Sequence, residues 1–405
     1  MPRQLPAPPQ TFIGRIGELA ALEQAPAAST VVISAITGMA GIGKTALALH
    51  AAHRIADRYP DGQLFIDLHG YTRGAAPIEP AEALDQLLSA LGFPGAQIPA
   101  GLDQRASLYR TRLADQRLLV VLDNAATEAQ VAPLLPAAPG CLVLVTSRRR
   151  LAGLDHTRIL SLDILPTPDA IALLVRTSGE GRLSGQPDDL LVRLVELCGR
   201  LPLAIRIAAV RLRSHPSWAL SHLVERLSDR QHRLGELAAG QLSVAAALDL
   251  SCQRLSPDQQ AAYRLLGLHP GPEFDANAAA ALLNAGQVRA TLLLDELLEA
   301  NLLQEPTPGR YRFHDLTRAH AAYAAARDQP QPGRAAALER LFDHYRRTAF
   351  AAVVAASLSD PSTVRRSNGY APTAPTCPTR HRHWSGWIAS YPTCSPTPPR
   401  PRPLR

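Results

Sequence analysis

The sequence has no apolar run approaching the roughly 20 residues needed to cross a bilayer. Its first ten residues are Pro-rich and contain no apolar signal core. These absences exclude a membrane-spanning protein and a secreted one carrying its own cleavable signal. Cysteine is sparse: Cys141, Cys198, Cys252, Cys377 and Cys394 form no C-x-x-C pair and no metal-ligand spacing. That argues against a disulfide scaffold or a structural zinc site and fits a reducing cytoplasm. Lysine is scarcer still. Lys44 stands alone, and the other 41 basic residues are arginines. With abundant Ala, Pro and Gly this resembles the coding bias of a GC-rich genome, and a lysine that persists under such bias points to a task arginine cannot perform.

Acid is absent from one stretch. Residues 361–405 hold seven arginines and no Asp or Glu, and this stretch carries the whole net charge of +7; the remainder balances 35 basic against 35 acidic residues. A basic total can signal nucleic acid, but here the folded part is neutral. The same stretch has ten prolines, two of the three tryptophans (Trp384 and Trp387) and no helical period. Such a composition cannot bury enough apolar surface to offset its ordering entropy. A disordered Pro/Arg-rich tail is therefore expected over 357–405, with two alternatives: a basic, aromatic nucleic-acid-binding tail, or out-of-frame sequence that replaced a repeat sensor.

What is present is a chain of 405 residues, 46% apolar and 19% charged, enough for two to three folded domains. Short apolar strands are expected at 31–36, 64–68, 118–122 and 142–146. They alternate with helices at 46–59, 80–91 and 103–116, the pattern of a parallel α/β sheet covered on both faces. After about 160 helical periodicity takes over, at 167–176, 188–198, 201–212 and 217–227. A further mostly helical block at 243–326 contains a hairpin-like stretch, 302–313, turned by Pro306, Thr307, Pro308 and Gly309. Helices followed by a two-stranded unit suggest a winged helix. The expected organisation is a disordered leader 1–10, a P-loop nucleotide-binding domain 11–160, a helical domain 161–235, a winged-helix domain 236–326, a helical extension 327–356 and the tail.

Gly38-Met39-Ala40-Gly41-Ile42-Gly43-Lys44-Thr45 matches G-x-x-x-x-G-K-S/T between a β-branched strand and a helix. The glycines Gly38, Gly41 and Gly43 let backbone N–H groups turn toward phosphate oxygens. The N-terminus of the following helix, from Ala46, adds its positive dipole end. Lys44 is expected on the β- and γ-phosphates and Thr45 on Mg²⁺. Asp123 ends the strand 118–122, where a carboxylate faces the metal. The next residue is Asn124, where many ATPases carry a second acid to activate water. Asparagine is no useful general base, so hydrolysis is expected to be slow or absent. Arg148, after Thr146-Ser147, ends the next strand at the ligand crevice and is a candidate γ-phosphate contact.

Four further motifs accompany these: Phe12-Ile13-Gly14-Arg15 with Glu18, Gly199-Arg200-Leu201-Pro202-Leu203-Ala204, Phe313-His314-Asp315, and Val145-Thr146-Ser147-Arg148-Arg149-Arg150 with Asp123-Asn124-Ala125. Their order resembles the NB-ARC class of STAND nucleotide-switch ATPases, with the flavour of actinobacterial SARP-type transcriptional regulators, over roughly residues 11–326. The resemblance implies that Ile13, Gly14 and Arg15 surround adenine, that Pro202 presses on the adenine or ribose, and that His314 reaches the β-phosphate of ADP and locks a closed state. ATP would recruit Arg148 and Mg²⁺ and favour opening and self-association, or contact with a protein effector. The helical motif departs from the commoner Gly-Leu-Pro by the insertion of Arg200. The chain reads as the switch without its input and output, since no 34-residue helical repeat follows it.

Three rival readings stand beside the switch. One is a turning-over ATPase, and another is a truncated product with a folded site but no output. The third is a DNA-binding regulator acting through the winged helix. Its candidate helices, 275–284 and 288–301, carry Arg289 against Asp275, Asp295, Glu296 and Glu299. That charge argues against phosphate contact, so no direct DNA binding is expected.

Overall fold

The computed structural model describes residues 1–24, 32–155, 157–179, 181–229 and 232–359. Strands β1 (Val32–Thr37), β2 (Gly62–Asp67), β3 (Leu118–Ala125), β4 (Leu142–Ser147) and β5 (Thr157–Ser161) form one parallel sheet in the order β2-β3-β4-β1-β5. The central strands β3 and β4 are almost wholly apolar and buried because both faces of the sheet are covered there. Along β3, Leu119 and Val121 enter one core, and Leu118, Val120 and Leu122 enter the other. That alternation follows from the two-residue repeat of a strand. Helix α1 (Ile16–Glu23) precedes β1 and α2 (Lys44–Ile55) follows it. α2 packs on the first face, and α3 (Pro80–Ala90) and α4 (Leu102–Leu113) pack on the second.

β4 lies between β1 and β3, so the strand carrying the phosphate loop and the strand carrying Asp123 are not neighbours; β3 runs two residues past Asp123, where the sequence pattern ends it, because Ala125 still pairs with Ser147 of β4. The space between their C-terminal ends is roofed by the end of β4, at Thr146 and Ser147. The short helix α5 (Glu128–Val131) follows β3.

The core on the α2 side continues without a break into the helices beyond β5. These are α6 (Thr167–Ser178), α7 (Asp188–Leu197), α8 (Pro202–Ser214), α9 (Leu220–Ser228) and α10 (Arg233–Glu236). A two-residue ladder, β6 (Ala238–Ala239) with β7 (Leu242–Ser243), leads into α11 (Val244–Gln253). Then come α12 (Pro257–Leu266), α13 (Ala276–Leu283) and α14 (Gln287–Glu299), followed by the hairpin β8 (Gln304–Thr307) and β9 (Arg310–Arg312). Three helices and a hairpin stand where the sequence pattern anticipates a winged helix. Phe274 bridges to Tyr311 beside the hairpin. Helices α15 (Asp315–Asp328) and α16 (Gln331–Ser359) close the described chain. α16 is anchored by buried Ala337 and Leu341 and by Arg340, which donates to the carbonyls of Ala281 and Leu282 at the end of α13.

The structure revises several expectations. Residues 2–4 lie in the stretch expected as a disordered leader, yet they run beside β2. The amide of Gln63 donates to Pro2 and that of Gln4 to Gln63, because β2 is an edge strand with open backbone groups. The edge strand β5 is absent from the sequence reading, since only Ile159 and Leu160 are apolar in it and it is half-exposed. The terminal helix continues to Ser359, past the limit expected at 356. Residues 360–405, on which the tail readings rest, lie outside the described residues. Among the described residues no helix is long and apolar enough to cross a membrane.

One local stability element is testable. Ser256 and Gln259 form a reciprocal capping box at the start of α12, with each side chain accepting from the other's backbone N–H. Ser256→Ala should lower unfolding free energy by about 1 kcal/mol, measured by urea denaturation.

Candidate functional site

A cavity of about 370 Å³ opens at the C-terminal edge of the sheet. One end is walled by the glycine-rich loop and the strand ends, with Gly41, Gly43, Lys44, Thr45, Ala46, Asp123, Thr146 and Arg148. The other end is walled by Thr11, Phe12, Ile13, Arg15, Leu165, Leu173, Pro202, Leu203 and Arg206. The first end is polar and charged, and the second is largely apolar. That is the division an ionic phosphate chain and a flat base would require.

Lys44 is half-buried on the cavity wall, and its Nζ donates to the carbonyls of Gly38 (2.7 Å) and Met39 (2.9 Å). Burial, reinforced by the nearby Arg148 charge, lowers its pKa to about 7, while Asp123 opposes the shift. A lysine held ready in this way gains strongly from an incoming anion. The loop meets α8 closely. Gly41 sits at φ +79° and accepts from the amide of Leu203 at 3.2 Å, and a Cβ on it would lie 2.8 Å from the Cβ of Leu203. Only glycine permits both the turn and this approach.

Thr45 Oγ1 donates to Asp123 at 2.8 Å, and Thr146 Oγ1 donates to the same carboxylate. Burial raises the pKa of Asp123, while the threonine bonds and Lys44 lower it. A buried carboxylate beside a hydroxyl is a hard oxygen pair that suits Mg²⁺; binding a cation there would also offset the desolvation of the carboxylate. Asn124 adopts φ 58° at a register break between β3 and β4. Its side-chain amide donates to Thr72 (3.1 Å) and Asp67 (3.3 Å). No carboxylate occupies position 124, in keeping with the sequence.

Arg148 lines the polar end but reaches beyond it. Its Nη1 donates to the carbonyl of Ala247 and to Ser251 Oγ on α11, and its guanidinium lies over Tyr71, 4.7 Å from the ring centre. Burial lowers its pKa to about 10. Arg15, at φ 62°, spends its guanidinium on Glu18 (2.8 Å) and the carbonyl of Asp163.

Three of the residues read from sequence do not line the cavity. Gly14 backs onto Asp169, which leaves no room for a Cβ. Gly38 contributes its carbonyl to Lys44 rather than a wall. His314 lies on the far side of Gly199, at a separate small cleft with Met39, Ile42 and Asn301. It caps α15, with Nδ1 accepting from the amide of Leu316 and Nε2 donating to the carbonyl of Gly199 at 2.8 Å. With Nδ1 an acceptor, the ring is neutral, in agreement with a pKa lowered by burial. Gly199, at φ +60°, offers no space for a Cβ beneath the imidazole. His314 therefore acts on the turn that presents Pro202 rather than on the cavity directly.

Several wall residues carry no role in the sequence reading, whether inside the quoted motifs, as Thr146, Leu203 and Phe12 are, or outside them, as Arg206 is. Thr146 could have been found as a polar residue at a strand end. Leu203 and Arg206 share a helical face with Pro202 by spacing. The stacking of Phe12 on His50, with centroids 4.4 Å apart, and the reach of Arg148 to Ser251 carry no local sequence signal.

No protein-family model matches the chain. The chain is 44% identical over 352 residues to the regulatory protein AfsR of Streptomyces griseus, an alignment covering 86% of this chain and 36% of AfsR. It is 30% identical over 285 residues to an uncharacterised protein of Mycobacterium bovis, covering 67% of this chain and 68% of that one. Among solved structures it resembles a STAND protein with a tetratricopeptide repeat sensor from Pyrococcus horikoshii, at 16% identity and a TM-score of 0.39, over 85% of this chain and 49% of that one. The chain thus spans about a third of the length of AfsR.

Proposed function

The chain belongs to the NB-ARC class of STAND proteins, in the family of the AfsR regulatory proteins, and from that premise we propose that it is an ADP/ATP-binding conformational switch within a regulatory protein. The observation that carries this reading is the convergence of Lys44, the Thr45–Asp123 pair and Arg148 at one end of a cavity whose other end is closed by Pro202 and Leu203 of α8. In this reading the backbone of the glycine-rich loop cradles the phosphate chain and Lys44 reaches the β- and γ-phosphates. Ile13 and Pro202 flank the base. Thr45 and Asp123 hold Mg²⁺, which when bound neutralises phosphate charge. The helical units close over the nucleotide.

The two nucleotides must contact the two states differently if they are to shift the balance. Arg148 supplies that difference. In the closed arrangement it ties β4 to α11 through Ala247 and Ser251. A γ-phosphate at the polar end competes for the same guanidinium by charge-assisted hydrogen bonds, and taking it releases α11. Asn124, without a carboxylate, keeps hydrolysis slow, so the ATP state persists. A steady-state rate above about 1 s⁻¹ would replace the switch with a turning-over ATPase. The expectation against direct DNA contact rests on the acidic 275–284 and 288–301 segments and finds no support in the comparisons, where AfsR is a regulatory protein.

The direct test is to purify the protein, denature it and identify the released nucleotide by chromatography. Stoichiometric ADP supports the locked switch. No nucleotide, with no binding on titration, sinks the reading. A pH test follows from Lys44. Only the protonated amine binds phosphate well, and its pKa before binding is about 7. ADP affinity should hold below that pH and fall as pH rises through it, by up to tenfold per unit, as read by calorimetry between pH 6 and 9. A flat profile would contradict it.

A further inference from the structure

Arg206 belongs to none of the nucleotide motifs, yet it stands at the apolar end of the cavity. It follows Pro202 by one helical turn, so α8 presents Pro202, Leu203 and Arg206 to the cavity on one face. Its Nη2 crosses from the helical unit to donate to the carbonyl of Thr11 at 2.7 Å. From the opposite side, Phe12 stacks on His50 of α2, the rings 10° from parallel. The segment 11–13 is thus gripped by both units. Among the described residues, the backbone N–H and C=O groups of Phe12 and Ile13 have no hydrogen-bond partner, although both residues line the cavity. Backbone groups buried away from water are almost always paired, so groups left open on a cavity wall are available to water or to a ligand. Their arrangement leaves a donor and an acceptor for the edge of a ligand.

We propose that Arg206 is a positioning residue for base recognition. By fixing the Thr11 carbonyl it holds the Phe12–Ile13 backbone so that these open groups select adenine over guanine while α8 is docked. This rests on the switch reading and deepens it. Adenine offers an amine donor beside a ring-nitrogen acceptor; guanine offers a carbonyl beside an N–H. A fixed donor–acceptor pair satisfies one base and leaves the other with unpaired polar groups, a large penalty in a buried site. A loosely held segment would adapt to both. Because the guanidinium comes from α8, base selection and closure of the helical unit are one event.

The experiment is calorimetric titration of the full chain with ADP, GDP and pyrophosphate. The variants are Arg206→Met, which keeps the packing stem, and Arg206→Lys, which keeps one donor for Thr11. The wild type should prefer ADP to GDP by roughly tenfold or more. Arg206→Met should lose most of that ratio while pyrophosphate affinity stays within about twofold, because the phosphate end is untouched; Arg206→Lys should restore the ratio. An unchanged ADP-to-GDP ratio in Arg206→Met overturns the inference and leaves the switch standing. Equal losses for ADP, GDP and pyrophosphate also overturn it, since Arg206 would then only support the fold. A wild type that binds pyrophosphate but does not discriminate between the bases overturns it too. A wild type that binds none of the three overturns the switch reading itself.

Discussion

Lys44→Ala is expected to come through purification without nucleotide and to bind ADP at least a hundredfold more weakly than the wild type. Among the described residues the half-buried ammonium bonds to two carbonyls, those of Gly38 and Met39, and a phosphate chain offers it charged acceptors instead. Hydrogen bonds to charged groups contribute about 1.5–3 kcal/mol each, so losing this cation costs on the order of 3 kcal/mol, roughly two decades in Kd. The variant should fold, because alanine removes a charge whose partial desolvation already works against it. Chromatography of nucleotide released from equal amounts of both proteins checks the result. Equal retention would mean that the loop does not hold phosphate. No other lysine exists to substitute for it.

His314→Ala is expected to weaken ADP binding by about tenfold and to raise the fraction of open or self-associated molecules. Two contacts disappear together: the bond to the carbonyl of Gly199 and the cap on Leu316 at the start of α15. The cap alone is worth about 1 kcal/mol. The larger effect comes through Gly199, because the turn it begins delivers Pro202 and Leu203 to the cavity wall. Calorimetry reads the affinity, and light scattering reads the association. Unchanged ADP affinity would sink the lock. Acid should act like the mutation. His314 is neutral in the fold and its pKa lies below the ordinary 6.5. The unfolded or released ring therefore takes up a proton first, and the closed state loses stability as pH falls below that value, on the way down to the folded pKa. In His314→Ala this part of the pH dependence should vanish.

Much of the site is legible in the chain because it is made of contiguous residues doing local chemistry. The turn from Gly38 to Thr45 needs glycines and one cation in fixed order, and the sequence displays both. Asp123 is readable because five apolar residues run straight into a carboxylate, which strand geometry places near the C-terminal end of β3. Pro202 is readable as the first residue of a helix, where a missing N–H costs nothing. The order of the helices after 160 follows from their periodicity.

The rest depended on distance in the fold. No periodicity states that β4 separates β1 from β3, since parallel strands pair through long crossovers and leave no mark in the turns. The edge strand β5 was hidden because an exposed strand needs few apolar residues. The ordering of residues 2–4 came from the open backbone of β2, which any extended segment could pair with. His314 and Arg148 were identified by type and order, yet the fold assigned their partners: a glycine carbonyl 115 positions away for one, and a serine 103 positions away for the other. Arg206 shows the same division most plainly. Its helical spacing from Pro202 was in the sequence, but its bond to Thr11, 195 residues distant, exists only because one continuous core presses α8 onto the phosphate loop. The sequence by itself determined the loop, the acid and the strand-then-helix plan, which follow from local geometry. Tertiary packing decided which distant groups close the cavity, because hydrophobic burial is non-directional and names no partner until the chain has collapsed.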